Sequence, residues 1–196
     1  MIIDTHCHVG IHKYEPVESL LYHMQETGVE KAVLIQHGGE FDNSYHIQCM
    51  NTFPNRFASA MLVPHDDEGD EIHKWAEKGI IGIRLGASSR TRTPNPLIQW
   101  STANELNLVV SALGSPKAFL SQEFAEVLKR YPNLHIIIEH LAGINNSEPE
   151  TLILFKKILK LAENEQLSIK LPGFGEFCSL PYPFKNVSHF ADMALE

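Results

Sequence analysis

Positive charge is scarce in this chain. Lys and Arg number 16 against 24 Asp and Glu, a formal charge of −8 with neutral histidines, so the basic face that nucleic acid requires is not expected. Cysteine is scarcer still: Cys7, Cys49 and Cys178 lie far apart and form no CxxC, which argues against a disulfide framework and against a cysteine zinc cluster. No apolar run approaches the ~20 residues of a membrane span. The opening MIIDTHCHVG has no basic region ahead of a long apolar stretch, so it does not read as a secretory signal and a cytoplasmic location is expected. With 43% hydrophobic and 20% charged residues, the composition is that of a globular protein and not of a disordered chain. What the chain has in quantity is histidine and proline, 11 of each.

A length of 196 residues is enough for one well-buried core and short for two. No linker or low-complexity tract interrupts it, so a single domain over 1–196 is expected. Short apolar or β-branched runs begin near residues 2, 31, 57, 80, 107, 134 and 167, at intervals of 29, 26, 23, 27, 27 and 33 residues. Each interval can hold a strand, a loop and a helix, the grammar of a parallel sheet built from βα units. The spacing predicts a first helix after Pro16, with Val17, Leu20, Leu21 and Met24 on one face and Gly28 as its stop. Ile72, Trp75 and Ala76 lead to Gly79, and Phe124, Val127, Leu128 and Tyr131 lead to Pro132, in the same way. The segment Glu148–Glu165 reads as the longest helix. Runs such as LHIIIEH and NLVVSAL are nearly continuous in apolar residues, as expected of strands covered on both faces. Seven regular units favour a (β/α)8 barrel of the TIM type over an open doubly wound sheet, one strand short of closure.

Chemistry concentrates at the predicted strand ends. In IIDTHCHVG, His6 and His8 are two apart, so a strand projects both imidazoles to one side, where they can share a metal ion. Cys7 points the other way and reads as core. A guanidinium at Arg84, inside a run of Ile and Gly, is costly to bury without an anion, either an internal carboxylate such as Asp4 or Glu139 or the acid group of a substrate. Lys170 invites the same weighing. His37, before two glycines at the end of the second strand, and Asn43 and Tyr45 in the loop GEFDNSY are candidates to touch substrate; His65 is a weaker one. His12, His23, His46, His73, His135 and His189 read as surface residues.

The start DTHCH, the later GIIGIRL, IIIEHLAG and SIKLPGFGEF, and the regular βα spacing together resemble the amidohydrolase-related family of the metal-dependent amidohydrolase superfamily, over essentially the whole chain. The resemblance implies a TIM-type barrel and an activity among the lactonases, other C–N or C–O hydrolases and non-oxidative decarboxylases. It matches His6 and His8 to first-strand metal ligands, His140 to the histidine ending the sixth strand, and Arg84 and Lys170 to basic residues that take substrate acids. Two positions depart from the family pattern. The fifth strand reads VVSALGS, with Ser111 and Ser115 where an imidazole is common, and the chain stops at HFADMALE before a GSD-like eighth strand whose aspartate binds the metal and moves the proton.

These observations lead to a metal-assisted hydrolase of a small carboxylated substrate, a lactone for preference. His6, His8 and His140 would hold a divalent ion, zinc by ligand softness, and His140, Arg84 and Lys170 would act on the substrate. As a C-terminally truncated member the chain is expected to be impaired, and its unpaired edge strands to favour association with another copy. The alternatives are a decarboxylase on the same scaffold, a nuclease like the TatD enzymes, which begin with almost the same IDTHCH but carry a glutamate in the fourth strand, and an inactive pseudoenzyme.

Overall fold

The computed structural model describes residues 1–144, 150–161, 163–171, 181–185 and 187–196. All seven expected strands form, each shorter than its apolar run: β1 (Ile3–Cys7), β2 (Lys31–Ile35), β3 (Phe57–Met61), β4 (Gly82–Gly86), β5 (Val109–Leu113), β6 (Ile136–Ile138) and β7 (Leu167–Ile169). Their order through the sheet is their order in the chain, and every registered pair is parallel. The helices between them are α1 (Val17–Thr27), α2 (Ser44–Thr52), α3 (Asp70–Glu77), α4 (Ile98–Glu105), α5 (Pro116–Phe119), α6 (Gln122–Arg130), a single turn α7 (His140–Gly143), α8 (Thr151–Leu161) and a terminal α9 (Ser188–Leu195).

The chain divides into two compact units, one of residues 1–84 and 90–109, the other of residues 85–89 and 110–196. The first holds β1, β2, β3 and the start of β4. Its α1 runs as the sequence predicts: Pro16 stands at the N-terminus with φ −66°, and Gly28 closes the helix at φ 72°, a left-handed conformation that favours glycine. The N–H of Val17 donates to the Tyr45 hydroxyl at 3.0 Å, which satisfies one of the groups a helix start leaves unpaired. Cys7, Val9, Val17, Met24, Ala32, Leu34 and Cys49 form one buried cluster, so Cys7 is a core residue as its strand position required. Burial raises the thiol of Cys49 to about 11.

The second unit holds β5, β6 and β7. Leu141, Ile144, Phe155, Val187 and Phe190 form a core cluster in it, in which the rings of Phe155 and Phe190 meet edge to face with centroids 5.2 Å apart. The C-terminal helix is thereby seated on α8. Gly114, just after β5, is hemmed in: a Cβ there would lie 3.1 Å from that of Ala87 and 3.3 Å from that of Ala118.

The segment predicted as the longest helix yields α8 over Thr151–Leu161; residues 148, 149 and 162 of that segment lie outside the described residues, as do Cys178 and the PGFGEF that follows Leu171. One expectation needs correction. His46, expected at the surface, is 1% exposed. It faces inward from α2, where Ser59 of β3 offers its hydroxyl oxygen 2.8 Å from Nδ1, a partner on a separate strand that periodicity along α2 does not reveal.

Candidate functional site

In the first unit, polar side chains gather at the C-terminal ends of β1, β2 and β4. β1 bulges between Asp4 and Cys7, and the Asp4 carboxylate accepts from the backbone N–H of His6 at 3.0 Å. His6 and His8 project to one side as the alternation predicted, with their Nε2 atoms 3.3 Å apart and their rings nearly perpendicular at 80°. His8 Nδ1 lies 2.7 Å from the carbonyl oxygen of Ile35. A carbonyl can only accept, so Nδ1 carries the proton and Nε2 presents its lone pair towards His6. The Tyr14 ring stacks on His8 at 4.6 Å and 15° and meets His37 at 5.2 Å.

Gln36 braces the neighbouring strand end. It is 3% exposed; its side-chain oxygen accepts from the His37 N–H at 3.0 Å, its amide donates to the Asp42 carbonyl at 3.0 Å, and its own carbonyl accepts from Arg84 Nη1 at 3.3 Å. The guanidinium of Arg84 is half-buried. Behind this group, burial pushes the His46 imidazole down to about 4, aided by His8 and His37 and opposed by the Val9 backbone.

Asn43 and Tyr45, expected to close over a site, each bond to neighbouring backbone. Asn43 is fully buried; its amide donates to the carbonyls of Phe41 and Leu62, each at 3.0 Å, and its oxygen accepts from the Leu62 N–H at 3.2 Å, so it ties the approach to α2 onto the end of β3. The Tyr45 hydroxyl serves the start of α1. His65 is exposed beyond β3. Tyr14, Gln36 and His46 are the residues that sequence reasoning missed. A short polar residue straight after an apolar strand was a usable signal for Gln36, since His8 and Lys170 stand in the same relation to their strands.

In the second unit, Ser111 on β5, Glu139 directly after β6 and Lys170 directly after β7 are all buried, at 3%, 1% and 6% exposure. Lys170 Nζ donates to Ser111 Oγ at 3.0 Å, and Ser111 Oγ donates to Glu139 Oε1 at 2.7 Å. The other carboxylate oxygen, Oε2, lies 3.7 Å from His140 Nε2. His140 opens a run of four residues with positive φ: 51° at His140, 47° at Leu141, 62° at Ala142 and 61° at Gly143. Three of the four are not glycine, and each such residue costs roughly 1–2 kcal/mol. Backbone bonds hold the turn: the Leu141 N–H donates to the Lys170 carbonyl at 3.1 Å, and the Ala142 N–H to the Glu139 carbonyl at 2.9 Å. Ser115 caps α5 by accepting from the Ala118 N–H.

Comparison with known proteins follows the same lines. The amidohydrolase family model matches residues 3–195. A search of curated proteins finds no match. Among solved structures, a probable 2-pyrone-4,6-dicarboxylic acid hydrolase from Acinetobacter baumannii with citric acid bound is 24% identical at a TM-score of 0.78, over 99% of this chain and 77% of that one. An amidohydrolase from Burkholderia multivorans with bound zinc is 12% identical at 0.75, over 100% and 78%. The 5-carboxyvanillate decarboxylase of Sphingomonas paucimobilis is 13% identical at 0.58, over 98% and 92%. With seven consecutive parallel strands, these likenesses show an α/β fold of the (β/α)8-barrel type, the eighth strand being absent from the described residues.

Proposed function

Because the chain belongs to the amidohydrolase family, whose model spans residues 3–195, we propose that it is a metal-assisted hydrolase of a small carboxylated lactone or similar ring ester. The observation that carries this reading is the first-strand histidine pair. Two nitrogens bound to one ion at 2.0–2.1 Å with a tetrahedral angle stand about 3.3 Å apart, and the two Nε2 atoms are 3.3 Å apart. The Ile35 carbonyl on Nδ1 of His8 is the outer-shell partner that metal-ligating histidines commonly have. These residues fit a divalent ion, and zinc suits imidazole. When bound, the ion supplies Lewis acidity towards a substrate carbonyl. The proposal takes His140 as a third ligand on the strength of the family resemblance.

Arg84 receives the substrate's acid group in this reading. A guanidinium meets a carboxylate with charge-assisted, two-pronged hydrogen bonds. His37, next to Gln36 and against Tyr14, is assigned to border the ring in the same reading.

The test is hydrolysis of a carboxylated lactone by the zinc-loaded protein, by the chelator-treated protein and by Arg84→Met. Loss of turnover on chelation, its return with zinc, and a KM at least tenfold higher in Arg84→Met are expected, since a charged hydrogen bond is worth about 1.5–3 kcal/mol. A decarboxylase has the same fold, so release of CO2 from an aromatic carboxylate is measured alongside; CO2 without lactone opening would overturn the hydrolase reading.

A further inference from the structure

We propose that Lys170 and Ser111 are positioning residues for Glu139, and through it for His140, and that Lys170 does not receive the substrate's acid group. The inference deepens the proposed function and rests on it only for its kinetic readout.

An ammonium group serving as an acid receptor has to present its donors to the ligand. Lys170 is instead 6% exposed and spends a donor on Ser111 Oγ at 3.0 Å. That hydroxyl, 3% exposed, passes its own proton towards Glu139 Oε1 at 2.7 Å, the short distance of an O–H donating to an ionised carboxylate. Glu139 is 1% exposed, and a carboxylate so deeply buried requires a compensating charge and full hydrogen bonding. The lysine supplies the charge and the serine carries the contact. The remaining oxygen of Glu139 faces His140 Nε2 at 3.7 Å. The chain Lys170, Ser111, Glu139, His140 thus crosses three successive strands, and the backbone reinforces it: the Lys170 carbonyl accepts from the Leu141 N–H at 3.1 Å, and the Glu139 N–H donates to the Ala112 carbonyl at 2.9 Å. A hydroxyl at position 111 is short enough to admit both charged partners on either side of it. An imidazole there would fill the space between them.

The experiment compares wild type with Lys170→Met, Lys170→Arg, Ser111→Ala and Ser111→Thr on two lactones that differ only in one carboxylate. Positioning predicts that Lys170→Met and Ser111→Ala lower kcat about 10- to 100-fold on both lactones, the usual cost of losing an outer-shell partner, with KM nearly unchanged, and that Ser111→Thr restores most of it. A KM rise confined to the carboxylated lactone in Lys170→Met, with kcat kept, would overturn the proposal. The ring resonances of His140, assigned by difference from His140→Gln, are recorded for each folded variant. They should move in Lys170→Met and Ser111→Ala and return in Ser111→Thr. Should wild type open neither lactone, the hydrolase reading falls, and the resonances still decide the matter: an unmoved His140 signal in Ser111→Ala refutes the network, whether or not Lys170→Met folds.

Discussion

Adding one methyl group at Gly143 should unseat the turn that presents His140. The residue has φ 61°, and a Cβ built there would lie 2.5 Å from the carbonyl oxygen of Gly114. Two costs therefore combine. The left-handed conformation penalises alanine by roughly 1–2 kcal/mol, and forcing a methyl against a fixed atom costs typically 1–3 kcal/mol more. Gly114 cannot easily retreat, because Ala87 and Ala118 already crowd its own Cβ direction. The total for Gly143→Ala is about 3 kcal/mol, which for a chain of this length lowers Tm by about 6–12 °C. Two other glycines separate the contributions. Gly28 has φ 72° with nothing within 4 Å of a Cβ, and Gly38 has open space and no positive φ. Thermal and urea unfolding followed by circular dichroism should therefore rank the alanine variants Gly38, Gly28, Gly143 in increasing damage, with Gly38→Ala within about 0.5 kcal/mol of wild type. A Gly143→Ala protein no less stable than Gly28→Ala would show that the turn does not press on the end of β5.

Three further outcomes are expected. His6→Ala with His8→Ala should abolish zinc uptake measured by elemental analysis, whereas Cys7→Ser, whose side chain belongs to the core on the opposite side of β1, should leave it unchanged; equal loss in both would refute the pairing. The imidazole of His46 is depressed from 6.5 to about 4 in the fold, so between those pH values the unfolded chain binds a proton that the folded one refuses. Stability from this group is then complete above pH 6.5 and falls as pH drops towards 4, by up to about 3 kcal/mol; urea titrations of His46→Gln should show a flatter profile over that window. Asn43→Ala should cost about 1–3 kcal/mol of stability, because it strands the half-buried Leu62 N–H and two carbonyls, and a change in substrate KM with wild-type stability would instead make Asn43 a substrate contact.

What was legible in the sequence was periodic. Seven apolar runs at intervals near 28 residues gave seven strands, and the i, i+3, i+4, i+7 face between Pro16 and Gly28 gave α1 within its residues. The same alternation placed His6 and His8 side by side and turned Cys7 into the core. What was not legible was tertiary. His46 has no sign on α2 that Ser59, 13 residues on, waits for it. Lys170 could be narrowed only to an internal or an external anion, because its contact to Ser111 joins residues 59 apart. The sixth strand, read from the run LHIIIEH as ending at His140, stops at Ile138, since the turn at His140–Gly143 is held by bonds to the Lys170 and Glu139 carbonyls.

The chain-order sheet has a consequence for synthesis. Every registered strand partner is near in sequence: Ile3 pairs with Lys31, Ala32 with Phe57, Ala60 with Gly82, Val110 with Ile136 and Ile136 with Leu167. Loop closure over such spans differs little in entropy from one pair to the next, so in each of these pairs the later strand finds its partner already translated. A ribosome adding about 5–20 residues per second releases one further strand and its covering helix every few seconds, and each can pair with the strand before it. The ladder can therefore grow from the N-terminus while the rest is still being made, so the histidine pair on β1 would acquire its Ile35 brace before Lys170 has left the ribosome.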